Sequence, residues 1–254
     1  MTSASDSPLV PGNGVASCGG HGTDEVLEVT QLLENHRITC CIGGASALIF
    51  YGAERVRHTW EIIVDSGQLG DAIELLKSPK YASDYLTLPA PPFQQRFSLP
   101  HTYQRFRGSS SNYDFTLVPS DHSHFSCHKS TICRSVHGLP YPKLPVLIQS
   151  FLDTNNRVAL CDVVDGTNVS EDWGLQHLDL SGTNDVEWAL RLNKMSTHPV
   201  PPFPTAAIKK LELWKSVVQT KIDRLGWTRP SELFTTQYRL KGSEDPWLVY
   251  SKAY

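Results

Sequence analysis

The stretch at residues 41–64, CIGGASALIFYGAERVRHTWEIIV, decides the fold. It opens inside an apolar run, 38–42, made of residues that fit a buried strand. Gly43 and Gly44 follow, and then a short apolar helix over 45–51. Gly52 ends that helix, because glycine takes up left-handed backbone without steric cost. Residues 53–58 carry the chain round, and 59–64 form a second strand. The order is strand, glycine turn, helix, turn, strand.

That order resembles the head of the nucleotidyltransferase-fold superfamily, whose signature runs hydrophobic–Gly-Gly/Ser, helix, Gly, then Arg-x-Thr-x-Asp-x-Asp on a strand. Gly43, Gly44, Ala47, Tyr51, Gly52 and Arg55 stand where the pattern wants them. The departures fall at the chemistry: Arg57 replaces the threonine, Thr59 the first aspartate and Glu61 the second. A group of fungal proteins of similar length is closer, with a His-Asp-Trp-Glu version of this strand; here its aspartate is Thr59. The resemblance implies an α/β (α+β) fold, a mixed sheet flanked by helices, with a helical C-terminal part. It also implies a cleft in which Gly43 and Gly44 let backbone approach a triphosphate, Ser46 donates to a phosphate oxygen, and strand carboxylates hold Mg2+.

Two carboxylates one residue apart on a strand share a face, and a third on a neighbouring strand completes a site for two magnesium ions. Asp114, in the strand expected at 112–118 and flanked by Tyr113 and Phe115, is the natural third carboxylate. An aspartate at a strand start is as readily a turn residue. With a hydroxyl at Thr59, the second ion lacks an anionic ligand.

Composition bounds the rest. The 254 residues suit one domain with an appended part or two small ones, and 40% hydrophobic residues supply a sizeable core. A net charge of −3 exerts no general pull on nucleic acid or an anionic membrane. No apolar run approaches the roughly 20 residues that span a bilayer. Cys40 and Cys41 would face opposite ways on one strand, which argues against a disulfide framework and for reduced thiols in a cytoplasmic protein. The Ser/Gly/Pro-rich residues 1–22 read as a disordered tail.

Three segments follow: the tail, an α/β core over 23–138 and a mainly helical part over 139–254. Thr23 is a candidate cap for a helix carrying Val26, Val29 and Leu33 on one face. Residues 67–78 form another amphipathic helix, with Leu69, Ile73 and Leu76 on one face. Residues 81–100 are rich in proline and aromatics and read as irregular, with 89–97 a lid or a surface insertion. Tyr103 to Arg107 alternates aromatic and basic residues. The segment 121–137 holds His122, His124, Cys127, His128, Cys133 and His137 without the paired spacing of a structural zinc site, and reads as a loop and a strand at 131–136 that continues the sheet. Beyond the connector 138–145, helices are expected at 146–153, 157–164, 184–195 and 205–225. The acidic block 162–173 lacks the oxygen-ligand register of a calcium loop, so Ser170 reads as a cap with Glu171 and Asp172 in the first turn.

Three functions fit these residues, and the sequence leaves open whether the chain is an enzyme. One is a repurposed fold working on a small organic molecule, without cofactor, by acid–base chemistry: cyclisation, isomerisation or dehydration, in fungal specialised metabolism. Its catalytic candidates are Glu61, His58 and Asp114. The substrate-binding candidates are Gly43, Gly44, Ser46, Tyr51, Thr59, Trp60, Arg105 and Tyr113. The second is a transferase using Mg2+ and a nucleoside triphosphate, and the third a non-catalytic binding or scaffold protein. Neither nucleic acid nor membrane is an expected partner; the oligomeric state is open.

Overall fold

The computed structural model describes residues 14–221 except 54, 92–94, 112, 136 and 168. β1 (Cys40–Ile42) and β2 (Trp60–Val64) pair antiparallel with Cys41 opposite Ile63, and α3 (Gly44–Phe50) lies between them in sequence. The glycine pair is what allows this approach. A β-carbon on Gly43 would stand 2.7 Å from Ile63 Cγ1 or nearer.

β2 runs parallel to β5 (Asp114–Pro119), with Glu61 opposite Thr116. A parallel pair needs a crossover, and here it carries α4 (Leu69–Lys77), β3 (Tyr85–Leu88) and β4 (Gln104–Gly108). β4 is antiparallel to both β5 and β3, and the sheet order is β1-β2-β5-β4-β3. The result is a five-stranded mixed sheet.

Period-two alternation assigns its faces. Trp60, Ile62, Val64, Phe106, Phe115 and Leu117 point to one face, in a core with Val26, Val29 and Leu33 of α2 (Thr23–Asn35) and Ala72 and Leu76 of α4. Each such side chain contributes about 1.5–3 kcal/mol by leaving water. Cys41, Ile63 and Val118 point the other way, where Cys127 covers them and Tyr103, Phe125 and Ile132 pack alongside.

The described residues of the C-terminal part, up to 221, are mainly helical: α5 (Leu144–Asp153), α6 (Arg157–Thr167), α7 (Glu171–His177), α8 (Val186–Asn193) and α9 (Lys210–Gln219). Its Ile148, Leu160, Val163 and Trp214 belong to the same buried core as Val29 and Leu117. Gly166 of the acidic block and Gly174 just after it make that packing close. A β-carbon on Gly166 would come within 2.5 Å of the Gly52–Ala53 peptide, and one on Gly174 would enter the Trp214 indole. Ser170 caps α7 as expected, its Oγ accepting from Trp173 N at 3.1 Å.

Several local expectations are corrected. Residues 81–100 are not wholly irregular, since β3 pairs with β4; Pro92 and Phe93 of the expected lid lie outside the described residues. The strand in 131–136 is shorter and does not continue the sheet: β6 (Ile132–Arg134) pairs only with β7 (Pro140–Pro142), which occupies the expected connector. Gly22, not Thr23, is the cap of α2, with φ of 72° and no side-chain cap bond. Residues 14–22 of the expected tail carry the short helix α1 (Ser17–Gly20), and residues 1–13 lie outside the described region. In the expected 205–225 helix, 205–209 are not helical, and 222–225 lie outside the described residues. Among the described residues no helix is long and apolar enough to cross a membrane.

Candidate functional site

The face of the sheet turned away from the α2–α4 core carries the polar groups. Glu61 and Thr116 pair across β2 and β5, and Thr116 pairs with Arg105 across β5 and β4. One pleat further along, Asp114 pairs with Arg107. Thr59 shares this side by alternation, and its Oγ1 donates to Asp114 O at 3.0 Å. Tyr103 follows by the same rule from Arg105 and Arg107, and packs beside Ile63 and Val118.

Glu61 is the electrostatic centre of this face. It is half-buried, and its carboxyl lies over Gly44, whose φ of +54° only glycine adopts without strain. No hydrogen bond or ion pair reaches that carboxyl among the described residues: Arg55 is turned to Asp162, its Nε donating to Oδ2 at 2.7 Å. Arg57 stacks 3.6 Å over the Trp60 ring and donates to His21 O at 2.6 Å. Burial therefore pushes the Glu61 carboxyl above the usual carboxylate range. The positive end of α3 opposes this by about 0.3–1 kcal/mol, which is less than one pKa unit. Removing a carboxylate from water without a partner shifts it by up to several units, so burial prevails.

Tyr103 lies within reach of the Glu61 charge, and His122 lies beside Tyr103. The Tyr103 hydroxyl accepts from Leu99 N at 3.1 Å and lies 3.3 Å from His122 Nδ1. Burial, with a smaller contribution from the Glu61 charge, pushes the phenol up to about 12. Burial also lowers His122, which favours the neutral imidazole. Neither residue is singled out by the sequence reading, although the aromatic–basic alternation from Tyr103 to Arg107 already puts Tyr103 and Arg105 on one face.

Asp114 is occupied. Arg107 holds it through both arms of its guanidinium, Nε to Oδ1 at 2.6 Å and Nη2 to Oδ2 at 3.0 Å. Arg105 Nη2 approaches Oδ2 only to 3.7 Å, and its Nη1 donates to Pro89 O at 2.9 Å. This donor set does not fit the two magnesium ions that the resemblance implies, because Thr59 brings no charge and Asp114 is already neutralised by arginine. Among the described residues no three His, Cys, Asp or Glu side chains group as metal ligands. His124 instead bonds Asp185 at 3.0 Å, and Cys127 is buried against Ile63 O.

The remaining expected site residues divide. Gly43, Gly44, Thr59 and Arg105 lie with Glu61. Ser46 sits two residues into α3 after Gly44, its Oγ buried and without a hydrogen-bond partner among the described residues. His58 is exposed in the bend before β2. Trp60 and Tyr113 are not brought to Glu61; they face the opposite core, where the Trp60 indole donates to His21 O at 2.8 Å and Tyr113 stacks on Phe115. Tyr51 is at the far end of α3, donating to Pro142 O at 2.7 Å.

No protein-family model and no curated protein sequence matches the chain.

Proposed function

We propose that the chain is a repurposed nucleotidyltransferase-like protein whose Glu61 face carries out proton transfer on a small organic molecule without a metal or nucleotide. The fold reading is supported by the strand–Gly-Gly–helix–strand head, the antiparallel β1–β2 pair and the parallel β2–β5 pair. The function reading rests on one observation: among the described residues no cation or hydrogen bond neutralises Glu61, whereas Asp114 is clamped by Arg107.

A carboxyl group raised toward neutrality suits general acid–base catalysis, where the best pKa lies near the working pH. Protonated Glu61 gives its proton to one atom of the substrate and recovers one from another position of the same molecule. The net reaction is then an isomerisation or cyclisation, or a dehydration if the protonated group leaves as water. Tyr103, with neutral His122 beside its hydroxyl, is the second proton-transfer group. Fungal specialised metabolism is the setting that the resemblance suggests.

Proton transfer at carbon leaves a trace in heavy water. Incubation with a panel of small carbonyl compounds in D2O, read by mass spectrometry, should show deuterium uptake at carbon in at least one of them. Glu61→Gln keeps the shape and removes the titrating group, so uptake should fall by about 100-fold or more. Uptake unchanged in a folded Glu61→Gln variant would remove Glu61 from the chemistry.

A further inference from the structure

Of the two arginines on the Glu61 face, one is left with donors to spare. Arg105 and Arg107 both turn toward the single carboxylate of Asp114. Arg107 takes both of its oxygens in fork geometry. Arg105 is left at 3.7 Å, beyond hydrogen-bond length, with one bond to Pro89 O as its anchor. A guanidinium carries five N–H donors, so most of those on Arg105 find no acceptor among the described residues. Its side chain is 22% exposed, which leaves it shielded but reachable.

We infer that Arg105 binds a carboxylate of the substrate, so that the molecule acted on is a small organic acid lying across β5 with its reactive atoms at Glu61. This rests on the reading of the Glu61 face as the substrate site. The register fixes the span, because Glu61, Thr116 and Arg105 occupy one row on three adjacent strands. Neighbouring strands lie about 4.8 Å apart, so the two backbone positions are roughly 10 Å apart. A planar guanidinium pairs with a carboxylate through two parallel bonds, as Arg107 does with Asp114. Phosphate satisfies the same fork but brings nearly two negative charges to the one guanidinium of Arg105, so charge matching favours the monoanion.

The test uses the full chain and three probes of one shape: 1-naphthoate, 1-naphthol and 1-naphthyl phosphate, each followed by fluorescence titration and by the side-chain 15N resonances of arginine. Naphthoate should bind about tenfold or more tighter than naphthol and shift the Arg105 resonances. Arg105→Gln should bring naphthoate down to the naphthol value while naphthol stays unchanged, with Arg105→Lys in between. The wild-type preference and the Arg105 shifts need no variant, so a poorly folding Arg105→Gln does not shelter the inference. Equal affinity for naphthoate and naphthol, binding of neither, or a naphthoate preference that survives Arg105→Gln would overturn it. Tighter binding of the phosphate would overturn the carboxylate assignment. Glu61→Gln separates the two claims: it should keep the naphthoate preference even if it also proves that Glu61 takes no part in the chemistry.

Discussion

The carboxyl group of Glu61 lies so close over Gly44 that there is no space for a β-carbon between them; one built there would meet Oε2 at 2.6 Å, with Cδ and Oε1 nearer still. The glycine thus does two things. It supplies the left-handed turn from β1 into α3, and it opens the space that the Glu61 side chain fills.

Gly44→Ala should be costly through its backbone. Left-handed backbone costs an L-residue about 1–2 kcal/mol, while the Glu61 carboxyl, the far end of a flexible side chain, can swing away from the new methyl group. Urea denaturation should show a loss of about 1–2 kcal/mol. Gly70→Ala in α4 is the control, since among the described residues nothing stands within 4 Å of a β-carbon there. It should be neutral or stabilising by up to about 1 kcal/mol. Equal effects of the two substitutions would contradict the left-handed turn at Gly44.

Glu61 also sets a pH dependence whose sign is opposite to that of a salt-bridged carboxylate. Its folded pKa is raised above the unfolded value. Between the two values the folded state binds more protons than the unfolded chain, so stability falls as pH rises through that window. Glu61→Gln removes the titration. The stability of the variant relative to wild type should climb from about pH 4.5 upward, by at most about 1.4 kcal/mol per pH unit, and level off above the folded pKa. Denaturation curves across this range check it; a gap that stays flat or narrows with pH would show a carboxylate that is ionised and satisfied.

The acidic block in the C-terminal part is predicted to matter through its glycine, Gly166, rather than its carboxylates. Gly166→Ala forces a methyl group into the Gly52–Ala53 peptide, and backbone cannot swing aside as a flexible side chain can. It should lower stability by about 1–3 kcal/mol, whereas Asp172→Asn, in the first turn of α7, should cost under about 1 kcal/mol. Thermal unfolding of the two variants side by side decides between packing and charge.

These outcomes follow the division between what local chemistry encodes and what pairing decides. The β1–α3–β2 head is legible because Gly43, Gly44 and Gly52 punctuate runs of clear periodicity. β3 is not: Tyr85 to Leu88 has no buried alternation, and it is a strand only because β4, some twenty residues on, offers it a ladder. The cap at Ser170 is a local signal and survives, while Gly22 displaces Thr23 as the cap of α2 because Gly22 takes the left-handed turn there. Glu61, Thr59, Arg105 and Asp114 share a face as the period of two requires. That same period puts Trp60 and Tyr113, each next in sequence to a face residue, on the other side, a consequence already present in the sequence. The fork between Arg107 and Asp114 is a cross-strand contact set by register, which single-chain spacing does not reveal.

The central claim is that Glu61 is a carboxylic acid held partly neutral by its surroundings, and its own titration tests that most directly. Protein labelled with 13C at glutamate Cδ, titrated by NMR and compared with Glu61→Gln to assign the resonance, reads the group without any substrate. The account predicts a Glu61 midpoint above the ordinary glutamate value of about 4.3. A Glu61 resonance titrating at or below that value would contradict it.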